Sequence, residues 1–255
     1  APTAAIISSA FPPDDASLGY ERGSSISKAW KESVTKAAIE AARQIHNDIN
    51  VLAKTNSKDE KRDSKLRSFC FKFATRAFVR PLSPTQKKVY IDDIFDADND
   101  SETATRRSLM LILTSPYFLY PSLNRGDDGK PDHYTVAAHL ALSLWDSIPD
   151  AELWEAAKQK RLGEETEINN QLTRMMTDFR TKAKNQSFFH HWLSLSEKND
   201  LEKDPKLFPG FDQRMIADLR TSLDLFIEKV MWSEHSDYRL SLIHISEPTR
   251  LWTIA

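Results

Sequence analysis

One segment, residues 70–90, constrains the fold of this chain more than any other. It reads CFKFATRAFVRPLSPTQKKVY, and its first half continues an apolar stripe at helical spacing that begins at Leu66. Pro81 has no backbone N–H and restricts the residue before it, so a helix is expected to stop there. The SPTQ sequence from Ser83 then supplies an N-cap, a proline at the first helical position and a capping-box glutamine. The segment therefore predicts two helices joined at a rigid corner.

Two arginines, Arg76 and Arg80, precede the corner and could bind an anion near the start of the second helix. Their place before Pro81 favours a different interpretation, because cations stabilise the negative C-terminal end of a helix dipole. We therefore predict that both arginines serve the end of the first helix.

The same helical period covers most of the remaining chain. A first helix is predicted within residues 27–50, a third carries Val89, Tyr90, Ile94 and Phe95 inward, and Ser101 caps a fourth. Asp150 and Asp212 are placed to open later helices. The six glycines are few for a sandwich or barrel, which needs many tight turns. The sequence predicts an all-α fold, a multi-helix bundle of about nine helices that could form two helical subdomains.

A loop with Gly126, Gly129 and Pro131 marks the best domain boundary. Residues 1–26 are interpreted as the end of a preceding helical domain, and residues 27–125 as a helical domain that contains the corner. Residues 132–239 form a second helical domain, truncated at its end. Residues 240–255 are interpreted as a non-native tail.

The tail prediction rests on residues 240–250, LSLIHISEPTR, which resemble the in-frame translation of a transposase-type sequencing adapter. Such a segment would come from library DNA, as expected for a metagenomic fragment, and would not contribute to the natural fold. His244 lies in it and is therefore not counted as a ligand.

Composition excludes several functions. The net charge is −2 with interspersed signs, so no nucleic-acid partner is indicated. No apolar run reaches the length of a membrane span. Cys70 is the only cysteine, which excludes internal disulfides and a C-x-x-C-H haem attachment within this chain. Its apolar neighbours predict a buried, inert thiol.

The acidic stretch IDDIFDADNDSE is the best metal candidate. Asp96, Asp98 and Asp100 have the spacing of the first three ligands of a calcium loop. Ser101 replaces the turn glycine and Arg107 replaces the final glutamate, so a solvated acidic loop is the preferred interpretation. Calcium binding by these three aspartates stays a weak alternative, and no other metal or cofactor is predicted in the chain.

The histidines do not have the spacing of helical metal ligands. His190 and His191 are adjacent and point about 100° apart, so one is predicted to line the core beside Trp192 and the other to face solvent. His139 lies in a packed helix and is interpreted as a satisfied or surface histidine.

The carboxylates leave an enzymatic alternative open. Asp14, Asp15, Asp146 and Glu152 could act as a general acid/base pair if two of them shared a cleft. Asp150 and the others sit where helices are expected to begin, and capping explains them more simply. Four tryptophans fall on apolar faces, where core packing is favoured over sugar stacking: Trp30, Trp145, Trp154 and Trp192.

Several motifs together resemble a family of multidomain secreted proteins that is expanded in Planctomycetes. FPPDDASLGYERG (residues 11–23) is similar to the end of one of its helical domains, and FATRAFVRPLSPTQ (residues 73–86) to its Arg-Pro-Leu segment. RRSLMLILTSPYFLY, AAHLALSLWDSIPDAELWEAA and FFHHWLSL resemble successive parts of the next domain. The chain departs from the family pattern at Val79, His139 and His191.

The resemblance implies a function but no catalytic residues. These proteins string together helical domains of unknown function, often beside a c-type cytochrome domain. The resemblance implies an extracytoplasmic location, haem c elsewhere in the full-length protein, and other domains of the same polypeptide as partners. We expect a non-catalytic helical scaffold or interaction segment, with an extracytoplasmic enzyme acting on polysaccharide as the alternative and a calcium-stabilised module as the lesser one.

Overall fold

The fold is all-α, as the sequence predicts. The computed structural model describes residues 11–12, 27–98, 100–121, 131–192, 206–208 and 211–233. Over these residues it has eleven helices, nine of them seven residues or longer, and no strand.

The helices follow one another in a simple order. Helix α1 is Lys28–Asn47, α2 Ile49–Leu52 and α3 Arg62–Ala77; α4 runs through Pro84–Lys87, Lys88–Asp92 and Asp93–Ala97; α5 is Ser101–Leu113 and α6 Pro116–Leu119. After these come α7 His133–Trp145, α8 Ala151–Lys158, α9 Glu165–Met176, α10 Phe179–Trp192 and α11 Gln213–Met231.

The chain divides into two compact units. The first contains residues 1–141 and 147–165, and the second residues 142–146 and 166–255. Helix α7 therefore contributes its last residues to the second unit.

The core of the first unit lies where α3 and α5 pack together with the middle of α4. Leu66, Cys70, Ile91, Phe95 and Ala104 are buried there in one cluster. A second cluster joins Ala74, Phe78 and Ile112 near the end of α3. Burial of a side chain the size of leucine stabilises a fold by about 1.5–3 kcal/mol. The buried stripe therefore holds α3 in place, and α3 in turn sets the position of the corner that follows it.

The corner itself forms largely as predicted. Ser83 and Gln86 make the reciprocal capping-box hydrogen bonds at 3.1 and 3.0 Å. Helix α3 ends at Ala77, before the proline, because Val79 turns the chain with a φ of +54°. A β-branched residue in the left-handed region is strained, so surrounding contacts must hold this conformation.

Helix α4 contains a wide turn that the sequence does not predict. Residues Lys88–Asp92 are π-helical, and their backbone hydrogen bonds span five residues instead of the four of an α-helix. The extra residue rotates the following side chains, so Ile91 is buried and Val89 is 46 % exposed. The prediction that Val89 faces inward is therefore wrong, whereas Phe95 is buried as expected.

The predicted cap of the next helix is displaced by one residue. Asp100, not Ser101, accepts hydrogen bonds from the first backbone N–H groups of α5. Ser101 is the first helical residue, and its hydroxyl donates to Asp63 Oδ1 at 2.8 Å. Both residue types cap well, and the bond to Asp63 draws the serine side chain away from the helix end.

Candidate functional site

The three aspartates of the calcium candidate each contact other protein groups. Asp96 pairs with Arg67 at 2.9 Å, and Asp98 pairs with Arg107 at 2.5 Å. Asp100 is occupied by the cap of α5, and these hydrogen bonds lower the pKa of its carboxyl group. Calcium binding stays a prediction, and within the described residues no group of three or more histidine, cysteine or acidic side chains is placed to hold a metal.

The corner arginines divide into two roles. Arg76 lies in the last turn of α3, as predicted, with its guanidinium 6.0 Å from the ring centre of Trp154. Arg80 lies beyond the helix and donates to Asp132 Oδ1 at 3.2 Å and to Thr135 Oγ1 at 3.0 Å. Arg80 is therefore not a helix-terminal charge, because it fastens the corner to the start of α7.

Asp132 is the N-terminal anchor of α7. Its Oδ1 accepts the backbone N–H and the hydroxyl of Thr135, each at 2.8 Å, in addition to Arg80. One carboxylate thus joins a helix start to the corner, which makes this a structural site within the first unit.

Cys70 is buried and inert, as the sequence predicts. Its residue has no exposed surface, and burial raises the pKa of the thiol to about 11. Because the thiolate is the reactive species, both the burial and the raised pKa disfavour reaction of this cysteine near neutral pH.

The carboxylates of the enzymatic alternative have separate partners. Asp150 caps α8 by accepting the N–H of Leu153 at 2.9 Å, as predicted. Asp146 is paired with Lys184 at 2.5 Å, and Glu152 is exposed on α8. Asp14 and Asp15 lie outside the described residues.

The tryptophans behave differently from one another. Trp145 is buried and its Nε1–H donates to the carbonyl of Met175 at 3.2 Å, so core packing holds there. The guanidinium of Arg180 lies 3.5 Å from the centre of the same ring. Trp192 is 46 % exposed, so the prediction that it packs in the core is wrong. The neighbouring Phe189 occupies the buried position on α10 instead.

Arg180 also orders the junction between α9 and α10. It donates to both carboxylate oxygens of Asp178, at 2.9 and 2.7 Å, and these bonds lower the pKa of Asp178 to about 2. Asp178 additionally accepts the backbone N–H of Arg180 at 2.9 Å. The Arg180 guanidinium thus contacts both the Trp145 ring and the Asp178 carboxylate, and these contacts fix the junction.

His46 Nε2 lies 3.5 Å from Glu102 Oε2, and a shorter histidine–carboxylate contact is made by His190. Its Nε2 lies 2.5 Å from Asp224 Oδ1, which links α10 to α11. His190 is half-buried rather than lining the core as one of the pair was predicted to do, while His191 and His139 are exposed. The sequence gives no sign of the His190–Asp224 contact, because its partners are 34 residues apart.

A cleft lies beside this contact, and sequence reasoning missed it. It has a volume of about 380 Å³ between α10 and α11. Lys182 crosses it to Glu228 at 2.7 Å, and the same ammonium lies 5.4 Å from the ring centre of Trp232. Helical periodicity assigns residues to faces but does not say which faces meet across 46 residues of chain.

None of the described helices is both long enough and apolar enough to cross a membrane. No curated protein and no solved structure matches the chain.

A family match covers the C-terminal part of the chain. Residues 132–244 match the family described as PSD4, protein of unknown function (DUF1592). The match begins at the first residue of the predicted second domain, although the two compact units divide further along the chain. It extends over residues 240–244, and the adapter origin of that segment stays a prediction. The chain therefore contains a DUF1592 domain, a domain of unknown function, at residues 132–244.

Proposed function

We propose that this chain is a non-catalytic helical scaffold or interaction segment of a larger secreted protein that also contains a c-type cytochrome domain. The DUF1592 match and the motif resemblance support this proposal. The partners are other domains of the same polypeptide, and haem c belongs to one of them. The location is extracytoplasmic.

The observation that carries the proposal is a set of exposed apolar side chains on the second unit, here called the apolar end. It consists of two pairs of side chains at i,i+4 spacing, each 42–57 % exposed: Phe188 and Trp192 on α10, Met215 and Leu219 on α11. The two helices run antiparallel, since Lys182 contacts Glu228 while His190 contacts Asp224. Both pairs therefore lie towards the same end of the helix pair.

Exposed aromatic and aliphatic residues of this kind are typical of protein–protein contacts. Single exposed apolar residues are ordinary, but clustered ones mark interaction sites. Phe188 and Trp192 already stack, with ring centres 5.9 Å apart, and so offer a preformed anchor. A neighbouring domain of the same polypeptide is the partner that the motif resemblance supplies.

The polar groups singled out in the sequence support a structural role. Asp100 and Asp150 cap helices, while Asp96, Asp98 and Asp146 are paired with basic side chains. Side chains engaged in this way stabilise helix ends and helix pairs.

Cysteine labelling tests the proposal directly. Cys70 is buried with a raised pKa, so the chain has little background reaction with maleimide. Leu219→Cys is expected to react quickly in the isolated chain and at least about tenfold more slowly in the full-length protein, because a neighbouring domain covers it. Thr221→Cys is the matched control, since Thr221 is exposed about 200° around the same helix and should react equally in both. Equal rates for Leu219→Cys in the two proteins would refute coverage of the apolar end.

A second measurement addresses the cytochrome association. The full-length protein is expected to show the absorption bands of haem c after reduction. A complete gene that encodes no C-x-x-C-H sequence would exclude the association while leaving the labelling result unaffected.

A further inference from the structure

The cleft between α10 and α11 is a cavity of the second unit with both polar and apolar walls. Its volume of about 380 Å³ falls within the range of small-molecule sites. The walls come from both helices and from Trp232, which directly follows α11. Phe179 and Leu225 line the cleft, and they are 75 % and 61 % exposed.

The polar side of the cleft has several hydrogen-bonding groups but a low net charge. Glu228 is neutralised by Lys182 at 2.7 Å, and Asp224 contacts His190 at 2.5 Å. Gln186 and Thr221 add an amide and a hydroxyl. The cleft therefore presents fixed hydrogen-bond donors and acceptors without a strong field of either sign.

The apolar side consists of flat aromatic faces. Phe179 is largely exposed at one edge, and Trp232 is half-buried beneath the Lys182 ammonium. Ile227 also lines the cleft and is buried. Covering such apolar faces removes them from water, which is favourable, so they favour a ligand with an apolar face of its own.

Charge decides between ligand classes. An anionic ligand would lie against Asp224 and Glu228. An organic ammonium ion would have to displace the Lys182 ammonium, which already lies between Glu228 and Trp232. A neutral ring with one C–H face and a rim of hydroxyl groups matches both sides of the cleft without displacing a charge. We propose that the cleft between α10 and α11 binds a neutral oligosaccharide, with Phe179 as the stacking platform.

The inference is independent of the proposed interaction role. Phe179 and Trp232 lie at the opposite end of the helix pair from Phe188 and Leu219, so either proposal can fail while the other holds. No bond of the sugar is broken in this proposal, and the site is a binding site only.

Saturation-transfer NMR on the whole chain tests the proposal with cellohexaose, mannohexaose and maltohexaose as probes. At least one probe is expected to receive saturation, and Phe179→Ala should weaken its binding by about tenfold, the effect of losing one aromatic stacking contact. Gln186→Ala should also weaken it, through loss of a hydrogen bond. Phe188→Ala is the matched control, because it removes an equally large exposed ring from the same helix outside the cleft and should leave binding unchanged.

Three results would overturn the proposal. The first is that none of the three neutral hexasaccharides binds. The second is that Phe179→Ala and Phe188→Ala bind a hexasaccharide equally well, with helical content of both variants checked by circular dichroism. The third is that tetramethylammonium, tested in parallel, binds in the cleft while the sugars do not.

Discussion

The Arg80–Asp132 pair offers the sharpest test of how the corner is held. Arg80 is 17 % exposed and Asp132 32 %, so solvent screens their interaction only in part. Arg80→Met keeps the length of the side chain and removes the bonds to Asp132 and Thr135. A hydrogen bond to a charged group contributes about 1.5–3 kcal/mol, and Asp132 keeps its bonds from Thr135, so we expect a loss of about 2 kcal/mol.

Thermal unfolding gives a measurable readout of this loss. For domains of about 150–250 residues, each 1 kcal/mol shifts the melting temperature by about 2–4 °C. Arg80→Met should therefore lower the melting temperature of the first unit by about 4–8 °C. Lys28→Met is the control, because the Lys28–Glu32 pair spans 3.8 Å on an exposed helix face and contributes about 0.5 kcal/mol or less.

A double-mutant cycle separates the pair from other effects of the substitution. Asp132→Asn alone should also destabilise, and the double variant should cost less than the sum of the two single changes. If Arg80→Met shifts the melting temperature no more than Lys28→Met does, or if the two changes add without coupling, the corner is held by packing around Val79 instead.

Two further changes probe the ends of helices. Lys160 is exposed just after α8 and has a φ of +58°, and the helix ends there with a hydrogen bond from the Arg161 N–H to the carbonyl of Ala156. Glycine adopts this conformation without strain, so Lys160→Gly should raise the melting temperature by about 2–4 °C. A decrease in the melting temperature would contradict this. Asp178→Asn should destabilise the protein at pH 7 but less at pH 2. Because the pKa of Asp178 is lowered in the folded protein, its ionised carboxylate stabilises the fold above about pH 4, and this contribution is lost as the pH falls towards 2. A difference in melting temperature between the original protein and Asp178→Asn that stays constant from pH 6 to pH 2 would refute the assignment.

Features that depend on residues close together in the chain could be predicted from the sequence, and the structure shows why. The capping box at Ser83, the cap at Asp150 and the buried stripe through Cys70 each depend on residues within a turn or two of one another. Periodicity and capping are sufficient for such features. The all-α class follows from the same local signals.

Features that depend on distant partners could not be read in this way. The π-helical turn places Ile91 in the core and lets the Tyr90 carbonyl accept the Ser108 hydroxyl at 2.7 Å, across 18 residues. Asp63, far along the chain, takes the Ser101 hydroxyl. Most residues of the cleft occupy exposed or half-buried positions, and only the pairing of α10 with α11 brings them together.

The wide turn at Lys88–Asp92 has a consequence for how such chains vary in length during evolution. One extra residue is contained within a single turn, between the capping box at Ser83 and the cap at Asp100. Deleting one residue there would restore a regular α-helix without moving either end. We therefore expect homologous chains to differ at this point by gaps of a single residue, with the buried positions on both sides remaining aligned.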